Sequence, residues 1–536
     1  MNDVSSLRKS IQILNRFQKY SGLAINLEKS ELLALGSFRD NPPDVTDTGL
    51  IFCKNQVKLL GITFNANLDN LIELNFVPKI EKLKTILGIW SMRDMTPIGR
   101  ISIIKSLGLS QMIYLLSVLP NPNDVFLKNL ETIVYKFIWS NKPDKVSRKT
   151  LIAGYYDGGL NMMHIPSMIK GLKIAWVKRL LDVKNNGNWK CFYKRELAVF
   201  GGNLIWYCNL NPSDNSLKNI KNKFIYEVIT AWFHVVYTNH DQNYHHEILW
   251  NNSRVRIANR VVFWKNWYDK GLKCFKDMLS FNGDILNLTQ FKHKFNLNIN
   301  FLDYFSLVDA IPPKWKRAVK NVKLDDNTNY QEEFVVKITS VKQVCRLVHR
   351  EYTQRIIKTP VSELKWAEHF NEWDLNWRDV YSIPLTATLS TRIRYFQYKI
   401  LHRYLAVNKL LKKMGIVNSE LCTFCNLEIE DIQHFFWNCS KLTTFWNEFQ
   451  NCILRNSFDL NARDIILGFV DCDKTKYNFI LLFAKYYIYN CKWDNSKPNY
   501  MVFVRIMKTY KDTEKFIAVK NNTVDKWRSR WNEVYL

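Results

Sequence analysis

Four metal-ligating side chains fall within 18 positions of one another: Cys422-Thr-Phe-Cys425, eight residues, His434, four residues, Cys439. Two cysteines separated by two residues can chelate one metal ion from a tight turn. A histidine and a cysteine five positions apart can add two ligands from a helical segment, completing a tetrahedral Cys3His zinc site. Phe435, Phe436 and Trp437 lie between them and would cover the ion with apolar bulk. A module this small lacks a core of its own, so the zinc is expected to supply folding free energy. Four protein ligands leave no open coordination position, which makes the expected role structural rather than catalytic. The competing reading is a chance grouping of three buried cysteines and a capping histidine. The other cysteines in the odd total of 11 are mostly far apart (Cys53, Cys191, Cys208, Cys274, Cys345) and read as reduced core thiols.

Elsewhere apolar residues recur mostly at helical spacing. Leu7, Ile11, Leu14 and Phe17 mark a first helix, followed by a turn at Ser21-Gly22. A polar loop from Asn41 to Gly49 leads to a strand-like run from Val57 to Phe64. Ile80, Leu83, Leu87 and Trp90 then form one helical stripe, and Ile101, Ile104, Leu107 and Met112 belong to the next. Gly and Pro number only 18 and 14, which disfavours a many-turned all-β chain. The expected class is mainly α with a small β remnant, in several domains, because 536 residues exceed one compact core. Four segments are expected: 1–75 with the strand, 76–155 helical, 156–360 helical and aromatic-rich, and 361–536 basic with the Cys/His cluster.

Lys and Arg number 76 against 49 Asp and Glu, a formal charge of +27 on a chain that is 47% hydrophobic. Such an excess on a foldable chain points to a polyanionic partner, RNA and/or DNA. Its plainer alternative is charge that serves solubility alone. Residues 136–150 carry five Lys/Arg against one Asp, and 391–413 carry seven with no acid. In the latter, Ile393, Phe396, Ile400 and Tyr404 fall at helical spacing toward a core. Arg392, Tyr395, Lys399 and Arg403 share a neighbouring face, where cations could reach phosphates and the tyrosine could stack on a base, and Arg394 is a further nucleic-acid-binding candidate. The competing reading is a solvated face with snorkelling side chains. No apolar run approaches the ~20 residues of a membrane span, and the N-terminus lacks a signal peptide's apolar centre. No membrane partner is expected; the chain reads as intracellular, nuclear and/or cytoplasmic.

Ser21-Gly22-Leu23-x-Ile25-Asn26-x-x-Lys29-Ser30, followed by Lys58-Leu59-Leu60-Gly61-Ile62, resembles the end of the palm in non-LTR (LINE-type) retrotransposon reverse transcriptases. The likeness continues in order through Pro97-Ile-Gly-Arg100-Ile-x-Ile-Ile-Lys105-Ser, Phe137-Ile-Trp139, Gly158-Gly159-Leu160, Trp250-Asn-Asn, Phe396-Gln-Tyr-Lys-Ile-Leu-His402-Arg and the Cys/His cluster. The resemblance implies a palm remnant in 1–75, a thumb in 76–155, and a zinc-binding C-terminal region. It implies that Leu59, Leu60 and Gly61 form a primer grip and that Lys29 lies toward the triphosphate. Arg100 and Lys105 would lie on the thumb facing a template–primer duplex. Read by periodicity alone, Leu59–Ile62 is an ordinary core strand.

Polymerase chemistry needs carboxylates that hold two Mg²⁺ ions, and reverse transcriptases carry two of them as aromatic-x-Asp-Asp. No such tetrapeptide occurs in the sequence, and the adjacent pair Asp325-Asp326 reads as a solvated turn. The resemblance would place the catalytic hairpin just before Met1. Mg²⁺ is therefore expected only for the intact parent enzyme, whose N-terminal part becomes a further expected partner. The expected function is binding without catalysis, the alternative being a non-enzymatic zinc-dependent nucleic-acid-binding or adaptor protein derived from such an element.

Overall fold

The first helix, Val4–Ser21, begins where the Asp3 carboxylate accepts the backbone N–H of Ser6 at 2.6 Å, and it ends at Gly22. The same side-chain capping opens helices Lys223–Val236 at Asn222, Phe301–Ala310 at Asn300 and Tyr500–Lys520 at Asn499. The computed structural model describes residues 3–53, 55–184, 187–237, 244–319, 341–356, 359–455 and 457–531. Asp325-Asp326 lies outside them. As the periodicity predicts, the described residues are mainly helical, and their strands form three short pairs. Glu31–Leu33 runs parallel to Ile51–Cys53, while Gln56–Leu59 pairs antiparallel with Ile62–Asn65.

That second pair corrects the expected single strand from Val57 to Phe64. The chain reverses at Leu60-Gly61, where φ is +49° and +80°. A two-residue hairpin turn of type I′ needs both central residues at positive φ, because that twist matches the flanking strands. Gly61 accepts this conformation freely; Leu60 adopts it with its side chain 81% exposed.

The chain gathers into two units, each assembled from three stretches. The first comprises Met1–Ile86, Leu107–Thr132 and His164–Tyr352, and the second Leu87–Ser106, Ile133–Met163 and Thr353–Leu536. In the first unit, helix Ile165–Leu181 packs on helix Lys223–Val236. Nearby, the buried Trp232 indole donates to the Trp206 carbonyl at 2.9 Å. Lys173 is buried there against Glu227 at 3.1 Å, and desolvation pulls its ammonium down to about 8. A neighbouring core gathers Trp250, Phe275, Phe291 and Trp315.

In the second unit, one core gathers residues between Trp366 and Trp531. Helices Trp377–Ala387 and Thr391–Leu401 both pack against Asn478–Trp493. Lys485 is fully buried in it and donates to the Gln397 side-chain carbonyl at 2.7 Å and the Ile466 carbonyl at 3.2 Å. With neutral acceptors in place of a carboxylate, burial brings its ammonium down to about 7. Among the described residues no single helix is long and apolar enough to cross a membrane.

Candidate metal centre and basic face

Cys422 and Cys425 sit in a tight turn whose ends are tied by the Cys422 N–H to the Glu428 carbonyl (2.8 Å) and by the Asn426 N–H to the Cys422 carbonyl (2.9 Å). His434 opens a wide π turn, His434–Asn438, that delivers Cys439 at its end. The four ligand atoms lie within 4.8 Å of one another. Zn–S bonds of about 2.3 Å at a tetrahedral angle separate two sulfurs by about 3.8 Å, and a sulfur from a ligating nitrogen by about 3.5 Å. The observed Cys422–Cys439 Sγ separation is 3.7 Å, and Cys425 Sγ lies 3.4 Å from His434 Nε2. These residues fit zinc in both donor type and spacing.

The shell around the ligands is ordered. His434 Nδ1 lies 2.9 Å from the Glu428 carboxylate, which fixes the ring so that Nε2 faces the cysteines. The Cys422 thiol leans on Cys439 Sγ; this holds the Cys439 thiol below its ordinary value and pushes Cys422 up. Phe424 stacks on Phe435, and the Trp446 indole donates to the Phe436 carbonyl at 2.7 Å. Cys422 and Cys439 belong to the same core as Trp366, Phe396 and Phe503. The knuckle therefore shares a core with the surrounding helices, where the sequence predicts a module without a core of its own.

Glu430, between the second and third ligands, is fully buried. It accepts the N–H groups of Asn408 (2.8 Å) and Thr423 (2.7 Å), the Thr423 hydroxyl (2.7 Å), and the Lys492 ammonium. Lys492 also donates to the Asn408 side-chain carbonyl at 2.6 Å. This clasp joins the cysteine turn to helix Asn478–Trp493. Sequence reading missed it; the one available signal is the Glu428-x-Glu430-Asp431 acid run between two ligands.

The basic stretch 391–413, whose helical spacing runs through Tyr404 in the sequence, forms two helices, Thr391–Leu401 and Asn408–Lys413. Between them Arg403 turns the chain with φ of +57°. His402 anchors the turn: its Nε2–H donates to the Gly158 carbonyl at 2.8 Å and its Nδ1 faces the Ser362 hydroxyl at 3.4 Å. Burial lowers His402 to about 4, so the ring is neutral at physiological pH. Gly158 is itself left-handed, and a Cβ there would come within 2.7 Å of the Tyr381 ring.

The remaining candidate residues have diverse surroundings. Arg392 is exposed and pairs with Asp94 at 2.7 Å. Arg394 donates to the Thr388 and Leu385 carbonyls at 2.6 and 2.8 Å. Arg403 lies 4.1 Å above the Trp366 ring centroid. Arg100 is buried, donating to the Phe137 carbonyl at 2.8 Å, and Lys105 donates to the Asn161 carbonyl. Arg100, Arg392, Tyr395 and Lys399 are brought together on one cleft of the second unit. In the first unit, Leu59, Leu60 and Gly61 form the exposed hairpin tip, where the Leu60 carbonyl accepts the Tyr114 hydroxyl at 3.0 Å. Lys29 is exposed at the end of a short turn capped by Asn26.

Residues 367–446 match the family model described as zinc-binding in reverse transcriptase, and the matched stretch contains all four ligands. The match ties this part of the chain to reverse-transcriptase-related proteins.

Proposed function

We propose that the chain is the C-terminal portion of a LINE-type reverse transcriptase that binds RNA or DNA through its basic surface and does not polymerise DNA by itself. The observation that carries this reading is the coincidence of a reverse-transcriptase zinc-binding match with a complete Cys3His ligand set. The LINE assignment is supported by the ordered tags from Ser21-Gly22-Leu23 through Lys58–Ile62 and Pro97–Ser106 to the cysteine cluster. Nucleic acid as partner is supported by the formal charge of +27. Zinc holds the knuckle in this reading, and the helices around it carry the cations.

Two measurements test it. Binding of RNA or DNA to the purified chain should weaken steeply with salt, with a log–log slope of several units, as counterions displaced from phosphates return. A flat salt profile would remove nucleic acid from the proposal. Primer extension on an RNA template with Mg²⁺ or Mn²⁺ should yield no product, because the sequence holds no aromatic-x-Asp-Asp to position the two ions. Extension above background would overturn the non-catalytic part.

A further inference from the structure

The second unit contains an open cleft of about 830 Å³ whose walls come from four separate stretches of sequence: 94–100, 138–145, 392–416 and 486–490. Its composition is unusual in combining cations with aromatic rings. Lys142, Lys145 and Lys399 line it together with Trp139, Tyr395 and Tyr486. Its two acids are already engaged, Asp94 with Arg392 at 2.7 Å and Asp144 with Arg148 at 3.0 Å. Among the described residues neither Lys142 nor Lys145 is paired with an acid. The Lys399 ammonium sits 5.3 Å from the Tyr395 ring centroid and 5.6 Å from that of Tyr489. Burial lowers its affinity for a proton, a penalty that a nearby anion would relieve. Trp139 is 5% exposed, and its indole N–H has no hydrogen-bond partner among the described residues. A buried donor in a cleft wall without an acceptor is uncommon in native proteins.

Charge alone would suit any polyanion; the rings narrow the choice. In a duplex the base faces are stacked on one another, leaving phosphates and groove edges to a protein. Aromatic walls gain from a nucleic acid only when its bases are unpaired and free to stack. Resting on the reading of the chain as a nucleic-acid binder, we infer that this cleft is a binding site for single-stranded nucleic acid, with Lys142 and Lys145 on the phosphates and Tyr395 and Tyr486 against the bases. The site has no built-in preference for one base, since every base offers a π face.

The test uses the full, zinc-loaded chain and fluorescence anisotropy with four labelled probes: oligothymidylate, oligouridylate, an abasic strand of equal length, and a duplex. Both base-bearing single strands should bind at least about tenfold more tightly than the abasic strand, the size expected from stacking of one or more bases. Tyr395→Ala should weaken oligothymidylate binding about tenfold and leave duplex and abasic binding nearly unchanged. The charge reversals Lys142→Glu and Lys145→Glu together should weaken all single strands and reduce the salt slope by about 1.4, the value for two phosphates on a single strand. Should Tyr395→Ala lose zinc or helicity, photocrosslinking of a 5-iodouracil strand to the unaltered chain gives the second reading, and the adduct is expected on cleft peptides. Equal affinity for abasic and base-bearing strands, parallel loss of duplex and single-strand binding, equal competition by polyglutamate, or crosslinks confined to other peptides would each overturn the cleft assignment. Nucleic-acid binding as such would survive those outcomes. Absence of binding to all four probes would instead defeat the parent proposal together with this one.

Discussion

Purified chain should carry about one zinc ion per polypeptide, and Cys439→Ser should lose most of it. The expectation rests on distances: sulfur–sulfur and sulfur–nitrogen separations of 3.7 and 3.4 Å are close to those a tetrahedral zinc ion imposes. A serine hydroxyl at position 439 is a far poorer ligand than a thiolate, and it would stand in a fully buried position. Structural zinc contributes about 10–16 kcal/mol in isolated zinc-finger peptides. Here the knuckle shares a core with several helices, so chelation should lower the thermal midpoint substantially without unfolding the whole chain. Elemental analysis and calorimetry with and without chelator check both parts. Full metal content in Cys439→Ser would refute the ligand assignment.

The buried pair Glu430–Lys492 should produce the next largest effect. Lys492→Met leaves a carboxylate in the core without its counter-charge, and breaking such a pair from one side costs about 3–5 kcal/mol. Glu430→Leu strands the Lys492 ammonium and also orphans the N–H groups of Asn408 and Thr423. Each orphaned donor adds about 1–3 kcal/mol, so Glu430→Leu should be the more damaging change. Because Thr423 lies between Cys422 and Cys425, that variant should weaken zinc retention as well, whereas Lys492→Met should largely spare it. The double variant should be less destabilised than Glu430→Leu alone, since the stranded charge is gone. Urea denaturation combined with metal analysis separates these cases, and a change below about 1 kcal/mol in Lys492→Met, the scale of an exposed pair, would show that the clasp carries little of the fold.

The metal ligands were legible because chelation is local: the two cysteines, the histidine and the last cysteine are close in sequence as well as in space. Helical class was legible for a similar reason, since a stripe such as Ile80, Leu83 and Leu87 is written into neighbouring turns and is buried as expected. The hairpin at Leu60-Gly61 was not, because leucine is a poor predictor of left-handed backbone and the flanking residues read as one apolar run. The break after Leu401 was hidden for a different reason. It depends on His402 finding Gly158 and Ser362, partners that no local pattern announces. The Glu430–Lys492 clasp and the aromatic walls of the cleft are likewise products of tertiary closure. Trp139, Tyr395 and Tyr486 come from stretches whose adjacency cannot be inferred from spacing.

Each unit's assembly from three stretches also sets a timetable for biosynthesis. Residues 87–106 and 133–163 emerge from the ribosome long before the 353–536 stretch that completes their unit. At roughly 5–20 residues per second, the intervening 164–352 stretch alone imposes a wait of about 10–40 s. Throughout it, Trp139 and the apolar face of helix Pro97–Ile103 are without the later half of their unit, a window in which a nascent chain is open to chaperones and to self-association.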